Sequence, residues 1–294
     1  MKPSPFTYHR PEGLAEALDV LAEAGPDGKV LAGGQSLLPI LSMRLAAPGH
    51  LIDVNRVPGL DAVRSGPDGV RVGALVRHAA LERDDGAAAV LPLLRQALRL
   101  VAHPTIRNRG TTVGSLVHAD PSGEMTAVLA LTGGSVQIAA TAGRRTVHAA
   151  DFFLGPLTSA VGAGELALEA WFPALPPGTG TAFVEVARRH GDYAVCGVAA
   201  AVSLDGGRVG SARAAYISMA PTPVVLQLPP PDGDPGEAAS WRAAGGHATA
   251  ALDPDADLHA SAEYRRHLAG VLTRRALAEA ARAAAATRSG DPDA

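Results

Sequence analysis

The sequence predicts an α+β protein of two domains, and three observations carry that expectation. Short strand-like segments alternate with helical periodicity as far as Pro173. A Pro- and Gly-rich break follows, from Pro173 to Gly180. Beyond it, strand material gives way to one long alanine-rich helical pattern. The domains are placed at 1–176 and 177–288, with a tail, 289–294, expected to fray. At about 100 to 200 residues per domain, a chain of 294 residues accommodates two.

The elements follow in order. Leu14, Leu18 and Leu21 recur at helical spacing after Pro11-Glu12-Gly13, and Gly25-Pro26 ends that helix. Lys29 to Ala32 is a strand running straight into Gly33-Gly34-Gln35-Ser36, where a helix can begin at Leu37, and Leu51 to Val54 is the next strand. Val70 to Val72 reads as a strand and Val90 to Val101 as a helix. The stretch from Met125 to Gly143 has no charged residue, which approaches the roughly 20 residues of a membrane span. Gly133-Gly134 interrupts it, and Thr126, Thr132, Ser135, Gln137 and Thr141 make it polar. Helix, turn and strand is therefore the reading, with Val136 to Ile138 and Thr146-Val147 as strands around Gly143. After the break, Phe183 to Val186 and Val195 to Leu204 are strands, Asp205-Gly206-Gly207 is a turn, and a further strand ends at Tyr216-Ile217-Ser218. Leu228 to Pro235 is a loop, and Ala262 to about Ala286 is the long helix. No repeat of fixed period is present.

Composition narrows the function classes. Hydrophobic residues at 47% and charged residues at 19% describe a globular chain. The 26 Lys and Arg against 29 Asp and Glu leave no basic excess for a phosphate backbone, so nucleic acid is not an expected partner. Cys196 is the sole cysteine, so the chain forms no internal disulfide and no cysteine-ligated iron-sulfur site of its own. No export signal or membrane span is read, and a reducing, cytoplasmic compartment is expected.

Two glycine-bearing turns carry the chemistry: Ala32-Gly33-Gly34-Gln35-Ser36 and Thr111-Thr112-Val113-Gly114-Ser115 following Gly110. Glycines let backbone N–H groups approach an anion, and hydroxyls add donors without charge. A helix starting at Leu37 would aim its free amides at the same anion. Taken singly, either turn could equally be an ordinary strand-to-helix connection. Neither is a P-loop, since no Gly-Lys-Ser/Thr follows. Gly162-Ala163-Gly164-Glu165-Leu166-Ala167 matches G-x-G-x-x-A, but Leu166, Leu168, Ala170 and Phe172 alternate as in a strand, which makes it a hairpin turn. His118, Asp120 and Glu124 lack regular spacing for a metal because Pro121 intervenes. Arg107 and Arg109 read either as an anion clamp or as ion-paired structural residues.

Longer strings carry a resemblance. Leu31 to Pro39, Ile106-Arg107-Asn108-Arg109-Gly110-Thr111 with Gly114-Ser115, His118-Ala119-Asp120-Pro121, Gly191-Asp192-Tyr193-Ala194 and Ser261 to Arg266 stand in the order of one family. The chain resembles the FAD-binding medium subunit of the molybdenum hydroxylases, which includes the carbon monoxide dehydrogenase medium chain and the flavin domain of xanthine dehydrogenase. The resemblance implies an FAD-binding domain of the vanillyl-alcohol oxidase (PCMH) type and a smaller C-terminal α+β domain. It also implies FAD held between the turns at Ala32, Gly33, Gly34, Gln35, Ser36 and Thr111, Thr112, Val113, Gly114, Ser115. Glu124 matches an acidic position that contacts the cofactor, and Tyr193 the position beside the isoalloxazine. Without the family, Glu124 reads equally as a helix-start carboxylate and Tyr193 as a packed core aromatic.

The family arrangement implies a large molybdopterin-binding subunit, a small iron-sulfur subunit that feeds electrons to FAD, and NAD, a quinone, another carrier or oxygen as terminal acceptor. The cysteine count agrees with this division of labour, because the clusters must sit elsewhere. Two departures stand out. Val113 occupies a place where the family has glycine, so either its φ is negative or the turn is rearranged. Val225 to Pro235 also departs from the family pattern. A free-standing flavin oxidase and a binding protein that has lost FAD remain as alternatives.

Overall fold

The computed structural model describes residues 2–289. In chain order its elements are β1 (Thr7–His9), α1 (Leu14–Ala24), β2 (Gly28–Leu31), α2 (Leu37–Ser42), β3 (His50–Asp53), β4 (Val63–Gly66) and β5 (Gly69–Gly73). A run of helices follows: α3 (His78–Arg83), α4 (Asp85–Val90), α5 (Pro92–Leu98), α6 (Pro104–Arg107), α7 (Thr112–His118) and α8 (Glu124–Thr132). Then come β6 (Ser135–Ala140), β7 (Gly143–His148), α9 (Ala149–Phe152), β8 (Phe153–Gly155), β9 (Thr158–Ser159) and β10 (Leu166–Pro173). The C-terminal part contains β11 (Thr179–Ala187), β12 (Ala194–Asp205), β13 (Arg208–Ile217), β14 (Val224–Gln227), α10 (Arg242–Ala251) and α11 (Ala262–Ser289).

The first half holds a three-stranded parallel sheet, β1-β3-β2, and a five-stranded antiparallel sheet, β4-β5-β10-β6-β7. The second half is a four-stranded antiparallel sheet, β11-β12-β13-β14. One face of that sheet joins the core of the first half through Phe183, Ala199, Ala201, Ala215 and Ile217. The other face packs on α10 and α11 through Val198, Ala200, Tyr216, Leu272 and Ala276. Burial on both faces explains why β12 is continuously apolar from Ala194 to Val202 instead of alternating. It is rich in alanine because α11 and the first half both press close.

Most expected elements are present within a residue or two. The 28-residue helix α11 runs to Ser289, and the tail expected from residue 289 otherwise lies outside the described residues. The uncharged stretch from Met125 becomes α8, a left-handed cap at Gly133 and β6. Among the described residues no helix is long and apolar enough to cross a membrane. Three readings differ. The helix expected over Val90 to Val101 is the shorter α5, because Pro92, without an N–H, ends the preceding α4 at Val90 and opens the new helix. Val224–Gln227 is a strand, pairing with β13, inside the region where the sequence departs from the family. Gly162 to Gly164 do lead into a strand, yet no hairpin forms there, since β9 pairs with β8 and β10 with β5 and β6.

Candidate functional site

The first glycine turn links β2 to α2, and its residues, Ala32 to Ser36, are all half-buried. Gly34 has φ +73°, a conformation that a side chain resists. None of the backbone N–H groups from Gly33 to Leu37 donates to an acceptor among the described residues. The nearby hydrogen bonds leave them free: Gln35 Nε2 donates to the Gly33 carbonyl at 3.2 Å, and the Leu38 amide to the Gly34 carbonyl at 3.0 Å. Half-buried amides without a protein partner stay available to a ligand or to water, and a consecutive run of them has the donors to receive an anion.

The second turn enters α7 directly beside the first. A side chain on Gly33 would overlap the Arg109 carbonyl and come within 2.8 Å of Gly110 Cα, so only glycine lets the two backbones meet. Thr111 caps α7 by accepting the Gly114 amide at 3.1 Å, and the Thr112 amide donates to the Val76 carbonyl at 3.2 Å. The Val113 amide, like that of Thr111, has no acceptor among the described residues and is an open donor of this turn. Val113 takes helical, negative φ in the first turn of α7, and its side chain is 2% exposed within the core. The glycine departure therefore costs no backbone strain and does not block a donor. Thr111 and Thr112 are buried, with the Thr112 hydroxyl hydrogen-bonded to His78 Nδ1 at 3.2 Å, while Gly114 and Ser115 stay half-open. Burial, and then the Arg107 charge, push His78 down to about 4, so that ring is neutral at physiological pH.

Struts join the turns. Asn55 Nδ2 donates to the Ala32 carbonyl at 2.9 Å, Arg77 donates to Asn55 Oδ1 and to the Arg109 carbonyl, both at 2.6 Å, and the His78 amide donates to the Gly110 carbonyl at 2.9 Å. Arg107 is no clamp for an anion: it is buried, its Nε donates to Glu82 Oε2 at 2.8 Å, and its Nη1 donates to the Val101 carbonyl at 3.0 Å. Within the described residues no group of three His, Cys, Asp or Glu side chains is arranged to hold a metal, and His118 Nε2 lies 3.9 Å from Asp120 Oδ2.

Glu124 and Tyr193 come from opposite halves, and burial, followed by the Asp120 and Glu124 charges, raises the Tyr193 phenol above its usual range. Glu124 opens α8 and is 8% exposed; burial, reinforced by the Asp120 charge, pushes its carboxyl up to about 7. Tyr193 is 69% exposed, which removes core packing as its role. Its loop is seated on the first half, because Gly191, at φ +83°, lies where a Cβ would come within 2.6 Å of the His103 ring. Ser218 ties the two together: its amide donates to the Pro121 carbonyl at 2.7 Å, and its hydroxyl reaches Ser122 Oγ at 2.8 Å and the Ala194 carbonyl at 2.6 Å. Arg265 holds Ser218 from behind, donating to its carbonyl at 3.1 Å and to that of Val195 at 2.7 Å.

Two family models divide this architecture between them. The FAD binding domain in molybdopterin dehydrogenase matches residues 4–175, and the CO dehydrogenase flavoprotein C-terminal domain matches residues 181–280. The chain belongs to the FAD-binding subunit family of the molybdopterin dehydrogenases. The 6-hydroxypseudooxynicotine dehydrogenase complex subunit alpha of Paenarthrobacter nicotinovorans is 38% identical to it over 98% of both chains. The carbon monoxide dehydrogenase medium chain of Hydrogenophaga pseudoflava is 36% identical over 94% of this chain and 97% of its own. A chain of reconstituted CO dehydrogenase from Oligotropha carboxidovorans superposes with a TM-score of 0.89 at 34% identity, covering 96% of this chain and 100% of that one.

This molybdopterin dehydrogenase flavin subunit is thus an FAD-binding protein of oxidoreductase type, with the α+β fold expected of it. Its residues fit the cofactor, since neutral backbone donors in two abutting turns suit a pyrophosphate. Clefts of about 510 and 420 Å³ lie instead along the helices of the second half, away from the glycine turns. Sequence reading did not find Asn55, Arg77 or Ser218. Their spacing carries no motif, and they matter only through where the fold puts them.

Proposed function

We propose that this subunit passes electrons from iron-sulfur clusters on a partner chain to a terminal acceptor through a non-covalently held FAD. The observation that supports this most directly is the open run of amides from Gly33 to Leu37 next to the open Val113 amide. FAD, when bound, supplies electron transfer in steps of one or two.

The chain's own residues bind and orient. Ala32, Gly33, Gly34, Gln35 and Ser36 receive one side of the pyrophosphate, and Thr111, Thr112, Val113, Gly114 and Ser115 the other. In the second set Thr111 and Thr112 act as framework while Val113 gives its amide. Asn55 and Arg77 keep the turns in register. Glu124 offers a polar contact from the start of α8, and Tyr193 edges the isoalloxazine from the second domain, 177–288. No His or Cys nucleophile is involved: Cys196 is buried, and burial pushes its thiol up to about 12.

One cysteine cannot ligate a cluster, so an iron-sulfur small subunit must deliver the electrons. A molybdopterin-binding large subunit would transform the substrate, and NAD, a quinone, another carrier or oxygen would take the electrons away. The names of the relatives, a complex subunit and a medium chain, support such an assembly. A cytoplasmic setting suits the unpaired thiol. The test is titration of the purified chain with FAD, followed by acid precipitation. One flavin per chain, released into the supernatant, is expected. A chain that takes up no flavin, or flavin that stays with the pellet, overturns the reading.

A further inference from the structure

Each open amide of the glycine turns shares a planar peptide unit with the carbonyl of the residue before it, and in a trans peptide the two point in opposite directions. Whatever grips the carbonyl therefore aims the N–H. The Ala32 carbonyl, in one peptide with the Gly33 N–H, accepts from Asn55 Nδ2 at 2.9 Å. The Gly33 carbonyl, in one peptide with the Gly34 N–H, accepts from Gln35 Nε2 at 3.2 Å. The Gly110 carbonyl, in one peptide with the open Thr111 N–H, accepts from the His78 amide at 2.9 Å. Of these three grips, that of Asn55 alone comes from a side chain outside both turns.

Asn55 is itself held at every polar atom of its side chain. One Nδ2 proton goes to Ala32 and the other to Asp53 Oδ1 at 2.6 Å, while Oδ1 accepts from Arg77 Nη2 at 2.6 Å. A flipped carboxamide would turn its oxygen toward Asp53 and the Ala32 carbonyl, and its N–H groups toward the Arg77 guanidinium, so one orientation alone is satisfied. Asp53 ends β3 beside Leu31, the last residue of β2, which puts it at the carboxyl end of the parallel sheet where the first turn begins. Its Oδ1 also accepts the Asn55 amide at 3.0 Å. Its Oδ2 accepts the hydroxyl of Tyr8 at 2.5 Å, from β1 on the far side of β3. Burial acts to raise the Asp53 carboxyl, yet the hydrogen bonds from Tyr8 and Asn55 outweigh it and hold the group below its usual value, so it is ionised at neutral pH.

We propose that Tyr8 and Asp53 are positioning residues of the cofactor site, acting through Asn55 to set the direction of the Gly33 N–H that meets the phosphates of FAD. The proposal rests on the reading of the glycine turns given above. Tyr8 orients the carboxylate, the carboxylate fixes the carboxamide, and the carboxamide turns the Ala32–Gly33 peptide. Hydrogen bonds to a charged group are short and directional, which suits them to fixing an angle. Tyr8 is 50% exposed, so its hydroxyl can be removed with little loss of packing.

Isotope-labelled glycine amides of the full-length chain, followed by NMR, test this relay without any cofactor. In Asp53→Ala the Gly33 resonance should shift or broaden, and that of Gly143, at the start of β7, should stay in place. A merely structural Asp53 would lower the melting temperature and leave Gly33 unmoved, and that result overturns the proposal. Should Asp53→Ala fail to fold, Tyr8→Phe decides instead: Gly33 should move there too, and an unmoved resonance overturns the proposal equally. FAD titration of the same proteins tests the consequence. Asp53→Ala and Asn55→Ala should each raise the FAD Kd about tenfold, the order expected from one lost hydrogen bond. The double variant should bind no more weakly than Asn55→Ala, because Asp53 acts only through Asn55. Additive losses, or wild-type affinity in both single variants, overturn the relay. No FAD uptake by wild type would overturn the reading of the turns, while the Gly33 resonance would still decide the relay.

Discussion

Gly34 is the residue at which the cofactor turn has least room for change. Its φ of +73° is strained for any side chain, and a Cβ there would sit 3.1 Å from both Leu31 and Leu38. Gly34→Val should therefore cost about 1 to 3 kcal/mol of local strain, relieved by rearranging the turn that presents the open amides. Expected is a folded protein with most of its flavin lost, read as the flavin-to-protein ratio after gel filtration. Full occupancy would remove the turn from the site. Tyr193 is the opposite case. With its ring 69% exposed it supports little packing, so Tyr193→Ala should change stability by no more than about 0.5 kcal/mol. The flavin spectrum or the reoxidation rate should change nonetheless, because an aromatic contact on the ring is worth about 0.5 to 1.5 kcal/mol. An unaltered spectrum and rate would move the isoalloxazine away from this residue.

At the scale of elements, the start of α7 depends on a neutral imidazole. His78 is buried against Thr112, and its carbonyl-facing neighbours strap the second turn to the segment around Val76. Its ring falls from the usual 6.5 to about 4. A depressed histidine stabilises the fold above its unfolded value, and that contribution is lost as pH falls through the folded one. Stability should thus decline between about pH 6.5 and about pH 4, by roughly 3 kcal/mol if the full displacement is felt. The melting temperature of His78→Gln should show a shallower acid limb than wild type over that window. Identical limbs would mean that the ring is hydrated.

For the whole molecule, the proposed cofactor site lies where the two halves join. Ser218, Arg265 and the Gly191 loop fasten the second half to the segment that leads into Glu124, so a ligand touching both halves clamps them together. FAD should raise the melting temperature of the entire cooperative unit, by about 2.7 kcal/mol of stability when present at 100 times its Kd. Differential scanning calorimetry should show one transition that moves as a unit. Two transitions, of which only the earlier responds, would confine the cofactor to the first half.

What the sequence determined by itself is local and repetitive. Helical spacing at Leu14, Leu18 and Leu21, the glycines at 33 and 34, the break after Pro173 and the alanine-rich helix from Ala262 are each encoded within a few turns of chain. The order of whole strings was enough to point to the family, because those strings combine backbone requirements that few other folds share. The single cysteine left this chain unable to build a cysteine-ligated iron-sulfur cluster by itself. Tertiary structure alone decided how the pieces meet. The 32–36 turn rests on the backbone of Arg109 and Gly110, and Asn55 and Arg77 brace them. It also decided that Val113 is a helical core residue, with side chain inward and amide free. These contacts join positions tens of residues apart, and neither periodicity nor a short motif records which distant backbone a side chain will find. Burial then sets the protonation of His78, Glu124 and Glu185, since desolvation depends on what the completed fold excludes from water.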